Sequence, residues 1–75
     1  MVYYENEMNQ KAIQYIKKKI EDGHYKEREK LPSEYELARE LQLERPVIRE
    51  AIQCLVEEDI LIDRPGVGVF VHSKP

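Results

Sequence analysis

The chain has 75 residues and one cysteine, Cys54. That makes one small domain near the lower limit for a core without staples, excludes an intramolecular disulfide, and leaves His24 and His72 with no metal-ligand set around them. No apolar run nears the ~18 residues that span a bilayer, MVYYENEMNQ lacks a signal-peptide core, and the formal net charge of −3 counts against a strongly DNA-adhesive surface.

Residues 1–7 are polar and carry Tyr3 and Tyr4 without periodicity, so they are expected to form a flexible arm. Ile13, Ile16 and Ile20 recur at helical spacing over residues 8–22, with Met8 and Ala12 extending the stripe. Gly23 supplies a stop, and Lys17, Lys18 and Lys19 occupy the last turns, where cations suit the negative end of the dipole. HYKEREK is a charged connector with a short strand expected at Lys30 and Leu31.

Pro32-Ser33 opens a second helix. Ser33 followed by Glu36 is a capping box, in which the hydroxyl and the carboxylate each take one orphan amide. Leu37, Ala38 and Leu41 form the buried stripe. Gln42-Leu43-Glu44 is the turn, with Leu43 pointing inward. The third helix has the clearest pattern: Ile48, Ala51, Ile52, Leu55 and Val56 lie on one face. Pro46 lacks an amide proton and suits a first turn, so the sequence places Arg45 at the cap and the helix start at Pro46. Residues 60–64 and 67–72 read as two strands joined through Pro65-Gly66-Val67-Gly68, with Phe70 facing the core and Val69 and Val71 opposite it. The expected fold is mainly α with a small β-wing: three helices plus a two- or three-stranded antiparallel sheet.

A helix-turn-helix followed by a wing places one helix in the DNA major groove. The stretches LPSEYELAREL, R-x-x-x-REAI-x-x-L and RPGVGVFV, in that order and spacing, resemble the winged helix-turn-helix domain of the GntR family of bacterial transcription regulators. The likeness continues weakly upstream through IKKKIEDGHYKEREKLPS, so residues 8–72 are expected to be that domain. The resemblance implies a sequence-specific double-stranded DNA-binding module of a cytoplasmic regulator, a repressor rather than an enzyme, with no cofactor and no metal. Such regulators continue into a larger domain that binds a small effector and dimerises. Residues 73–75 are then expected to start the linker to a domain absent from this chain, and the full-length protein to be a homodimer on a palindromic operator.

In that frame Arg45 and Arg49 match arginines the family uses for DNA contact. Arginine suits the task because its planar fork pairs with guanine O6 and N7 or with phosphate. The bland alternative for Arg49 is a surface ion pair with Glu50, Glu36 or another local acid. Glu50 is read as structural, bonding a neighbouring arginine or amide. At the wing, Gly66 and Gly68 allow close backbone approach and Arg64 meets a phosphate or the minor groove. Lys30 and Ser33 are phosphate candidates at a helix N-terminus. Four positions depart from the family pattern. Tyr35 stands where LPSER has an arginine, Glu44 replaces a serine or threonine, Pro46 and Val47 replace a pair often made of threonines, and Val67 replaces a cationic or polar wing residue.

Charge distribution keeps DNA open as a partner. Residues 11–30 carry seven Lys/Arg against four Asp/Glu, and the tail from Arg64 carries two cations and no anion. The competing reading is a winged-helix protein-interaction module that has lost DNA binding, which Glu44 and Val67 favour. Tyr15 and Tyr25 either pack around the first helix or, with Tyr3 and Tyr4, offer stacking surfaces to single strands. Cys54 reads as a small, partly buried hydrophobe, with redox sensing the alternative.

Overall fold

The computed structural model describes residues 7–72. The arm at 1–6, with Tyr3 and Tyr4, and the tail at 73–75 lie outside the described residues. Three helices come first: α1 (Glu7–Glu21), α2 (Glu34–Leu41) and α3 (Arg45–Glu57). A hairpin follows, with β1 (Leu61–Arg64) antiparallel to β2 (Gly68–Val71).

Helix α1 buries Ala12, Ile13, Ile16 and Ile20, the face its spacing predicts, and packs on α3. Met8 does not extend that stripe, being 55% exposed. The inward place one turn from Ala12 belongs instead to Asn9, 3% exposed, whose Nδ2 donates to Glu50 Oε1 at 2.7 Å. A buried amide needs a partner of this kind, since leaving it bare costs about 1–3 kcal/mol. Glu50 therefore does bond an amide, the side-chain one of Asn9. The chain leaves α1 through Gly23 at φ +84, a left-handed residue where a side chain would be strained.

Ser33 caps α2 as a complete box. Glu36 N–H donates to Ser33 Oγ at 3.1 Å and Ser33 N–H donates to Glu36 Oε1 at 2.9 Å. The helix ends at Gln42, which is left-handed at φ 57. Leu43 N–H then reaches back to the Ala38 carbonyl at 3.0 Å, closing the end in the manner of a Schellman turn. Leu43 packs against the core as expected. A non-glycine residue in this conformation costs about 1–2 kcal/mol, so burial of Leu43 and the closing hydrogen bonds must offset it.

Helix α3 starts one residue earlier than the sequence suggests. Glu44 is the N-cap, extended at φ −77 and ψ 151, and its carbonyl accepts from Val47 N–H at 3.0 Å and Ile48 N–H at 3.3 Å. Arg45 is thus the first helical residue and Pro46 the second. Proline is tolerated at either place, because first-turn amides have no intrahelical acceptor. The bias of Arg45 toward extended geometry is outweighed, and Arg45 and Arg49 become neighbours one turn apart on a single face. The inward face, Ile48, Ala51, Ile52 and Leu55, is buried.

The strand parity is the reverse of the one expected. Leu61 pairs with Val71, and both are at most 2% exposed. The period of two then turns Val69 toward the core and sends Phe70, paired with Ile62, to the other face. The bulk of Phe70 suggested core, but Leu61 sets the register. Phe70 is half-buried, with the Arg64 guanidinium 5.7 Å from its ring centroid. The expected short strand is present as one antiparallel bridge between Lys30 and Phe70, flanked by Leu31 N–H to the Val69 carbonyl at 2.8 Å.

Tyr15 and Tyr25 pack against the core, and Tyr15 Oη donates to Glu40 Oε2 at 2.5 Å, joining α1 to α2. The three lysines make helix-surface contacts. Lys17 lies 3.7 Å from Glu58, Lys18 3.7 Å from Asp22, and Lys19 5.3 Å from the Tyr15 ring centroid.

The two faces of α3 should respond differently to truncation. Leu55→Ala, at a fully buried position, should destabilise the domain by about 2–5 kcal/mol. Gln53→Ala, on the exposed face, should stay within about 0.5 kcal/mol. Urea unfolding of both variants checks this, and equal losses would contradict the described packing.

Candidate nucleic-acid interface

The exposed face of α3 and the N-terminus of α2 meet around one carboxylate. Glu34, in the first turn of α2, accepts from Arg49 twice: Nε to Oε2 at 2.9 Å and Nη2 to Oε1 at 3.0 Å. It also accepts from Arg45 Nε to Oε1 at 3.1 Å. The two arginine side chains remain 57% and 63% exposed, against 24% for Glu34. Hydrogen bonding from Arg49, then from Arg45, outweighs partial burial and holds the Glu34 carboxyl below the usual carboxylate range, while Glu34 raises Arg49 further above its ordinary value. The surface ion pair weighed for Arg49 is therefore present, with Glu34 and not Glu36 or Glu50 as the acid.

Between α3 and the wing runs a groove of about 430 Å³ lined by Lys30, Ser33, Glu34, Arg49, Gln53, Asp63, Val67 and Gly68, among others. The structure brings Lys30, Ser33, Arg49, Val67 and Gly68 to one surface. Gly68 has φ +149, and a Cβ there would stand 2.5 Å from Lys30 Cε, so the lysine stem lies across the glycine. Gly66, at φ +80 after Pro65, meets open space. Val67 N–H closes the tip by donating to the Arg64 carbonyl at 2.9 Å, and the Pro-Gly pair at its centre has the composition of a type II turn.

Other expected site residues lie elsewhere. Arg64 lines a second cavity, about 650 Å³, on the Phe70 side of the wing with Glu27, Arg28, Ile62 and Val67. It is thus on the face opposite Asp63 and Val69 and is not gathered with Arg45 and Arg49. Tyr35 is 54% exposed on α2, with the Arg39 guanidinium 5.9 Å from its ring centroid. Glu44 is exposed and makes no side-chain cap bond. Pro46 is exposed beside it and Val47 is half-buried.

Sequence reasoning missed Glu34, Gln53 and Asp63. Gln53 was legible, because 45, 49 and 53 step by four along one helix face. Glu34 had no such signal, since its partners lie on another helix.

Among the described residues no group of His, Cys, Asp or Glu is placed to hold a metal ion, and no helix is long and apolar enough to cross a membrane. Cys54 is half-buried, and burial together with Glu57, Glu58 and Glu50 pushes its thiol upward from the ordinary value.

Three helices, a tight α2–α3 turn and a two-stranded wing define a winged helix-turn-helix domain. Residues 8–71 match the family described as "Bacterial regulatory proteins, gntR family", and the chain belongs to that family. It is 43% identical over 60 residues to the HTH-type transcriptional regulator YurK of Bacillus subtilis, covering 80% of this chain and 25% of that protein. It is 36% identical over 62 residues to the histidine utilization repressor of Klebsiella aerogenes, covering 83% and 26%. The chain therefore spans about a quarter of the length of these curated relatives. The DNA-binding domain of AraR, solved with operator ORE1, superposes with a TM-score of 0.82 at 31% identity, covering 85% of this chain and 78% of that one.

The Cys54 thiolate is disfavoured, so alkylation by iodoacetamide near neutral pH should run slower than for free cysteine. The rate should rise only as pH passes the ordinary thiol range, because the raised value delays ionisation. A rate at pH 7 equal to that of free cysteine would contradict this.

Proposed function

We propose that this domain binds double-stranded DNA in a sequence-specific manner, with α3 in the major groove and the wing on the adjacent backbone or minor groove. The observation that carries the reading is the meeting of Arg45 and Arg49 on the exposed first turns of α3, beside a glycine wing. Their N-terminal placement on the second helix of the motif is where base edges are met in this architecture. The likeness to an operator-bound domain supports the same pose.

In this pose Arg45 reads a base edge, while Arg49 reads a base or holds a phosphate. Pro46 and Val47, deprived of hydroxyls, contribute only apolar contact. Ser33 and Lys30 meet phosphate at the N-terminus of α2, where free amides favour an anion. Tyr35 donates one hydrogen bond to phosphate without adding charge. Gly66 and Gly68 bring the wing backbone close to the duplex, and Arg64 reaches the flanking phosphate from the far side of the wing. The full-length protein is a cytoplasmic repressor that presents two such domains to a palindromic operator, with half-sites about one helical turn apart. Its small effector binds in a domain outside residues 8–72. Single domains bind weakly, and linking two raises affinity through effective concentration.

Arg45→Ala should relax base preference at one operator position, a bidentate contact being worth about 1–3 kcal/mol of discrimination. If Arg49 holds phosphate, Arg49→Ala weakens all duplexes alike and lowers the salt slope by about one. Titration of both variants on a duplex selected from a random pool, and on its scrambled form, measures this. Wild-type affinity in both would overturn the docking.

Glu44 tests the pose from the opposite direction. Its carboxylate favours the positive end of α3 by roughly 0.3–1 kcal/mol, yet on DNA it would lie beside phosphates. Glu44→Ser should tighten binding to every duplex, most at low salt where screening is weakest. Loss of affinity confined to the selected duplex would instead mark Glu44 as a reader of a cytosine amino group.

A further inference from the structure

We infer that Glu34 is a specificity-determining positioning residue: its carboxylate buttresses Arg49 and Arg45 as one rigid unit, so that their remaining donors face the duplex in a fixed orientation. The inference rests on the DNA-reading pose proposed above and deepens it.

A guanidinium has five N–H donors in a planar fork. Arg49 commits Nε and Nη2 to the two oxygens of Glu34, so one edge of the fork is clamped. The adjacent edge, built from Nη1 and the second Nη2 hydrogen, keeps its donors uncommitted to the carboxylate. A bidentate hold fixes the plane as well as the position, which a single bond does not. Arg45 gives only Nε to the same acid, and keeps both terminal nitrogens available. Two cations one turn apart on a helix repel each other. A shared anion removes that repulsion and sets their spacing.

The clamp is also anchored from behind. Glu34 follows the capped Ser33 directly, and the Ser33–Glu36 box fixes the first turn of α2. With Glu34 three-quarters covered and the arginines more than half exposed, the acid is the fixed member and the cations face outward. Neither guanidinium then has to lose its rotamer freedom on binding, an ordering cost that a free long side chain would bear at the interface. The net charge of the trio is +1, so the site attracts DNA less strongly than two bare arginines would. The acid therefore exchanges non-specific attraction for defined geometry.

The test is Glu34→Gln, which keeps shape and removes the charge, titrated at several salt concentrations against the selected duplex and its scrambled form. The expected result is a fall of roughly tenfold in the selected-to-scrambled affinity ratio, with scrambled binding unchanged or tighter. In a background with both Arg45→Ala and Arg49→Ala the same substitution should leave the ratio nearly unaltered, because the effect runs through the two arginines that Glu34 holds. An unchanged ratio with both duplexes bound more tightly would overturn the inference, leaving Glu34 a mere counter-charge. Parallel loss on both duplexes with a lower Tm would also overturn it, leaving a structural role only. Should Arg45→Ala and Arg49→Ala each retain full affinity, the docking pose itself falls, an outcome separate from failure of the buttress.

Discussion

Everything in this domain depends on the burial of one side of α3. Ile48, Ala51 and Leu55 are fully excluded from solvent, and the helix that carries them meets α1, α2 and β1. A chain this short has no second core to fall back on. The same helix must nevertheless leave its other face bare if it is to enter a groove. A 3.6-residue period allows both, because residues 45, 49 and 53 form a stripe alongside the one made by 48, 51, 52 and 55, turned away from the core. The inward contacts fix the helix against the body, and the outward side chains inherit that rigidity without contributing to it.

Electrostatics then decides what the bare face can do. The protein is acidic overall, yet several of its acids are engaged within the fold. Glu34 holds two arginines, Glu36 completes a cap, Glu40 takes a tyrosine hydroxyl and Glu50 takes a buried amide. Net charge alone would misjudge this surface. What matters at the range of a few ångströms is which charge each group faces, since interactions beyond about 10 Å are screened at moderate salt. Glu44, at the N-cap of α3, makes no side-chain bond at its cap.

Most of the fold was legible in the sequence because its signals are local. The apolar spacing in α1 and α3, the Ser33–Glu36 pair and the Pro-Gly tip each act within a few residues. Two of the readings that differ from the structure required information from a distance. Met8 and Asn9 could exchange roles because only the partner helix, through Glu50, rewards an amide at that place. The bulk of Phe70 argues for an inward place, whereas the pairing of Leu61 with Val71 sets the parity. The start of α3 moved by one residue because a first turn accommodates proline at more than one position. Arg45 and Arg49 were legible as candidates, but the acid joining them belongs to another helix and leaves no periodic trace.

The sheet has a consequence for how this domain behaves at high concentration. Strand β2 is paired on both sides, with β1 on one and the bridge at Lys30 on the other. Among the described residues the Lys30 segment is one edge and β1 the other, and an edge strand such as β1 is a template for joining another chain. Here it is only four residues long, ends in Asp63 and Arg64, and runs directly into Pro65, which has no amide to offer. Brevity, two charges and a proline close off strand addition between copies. The exposed tip of the wing, residues 63–67, can therefore stand in solvent without β1 seeding sheet-to-sheet association.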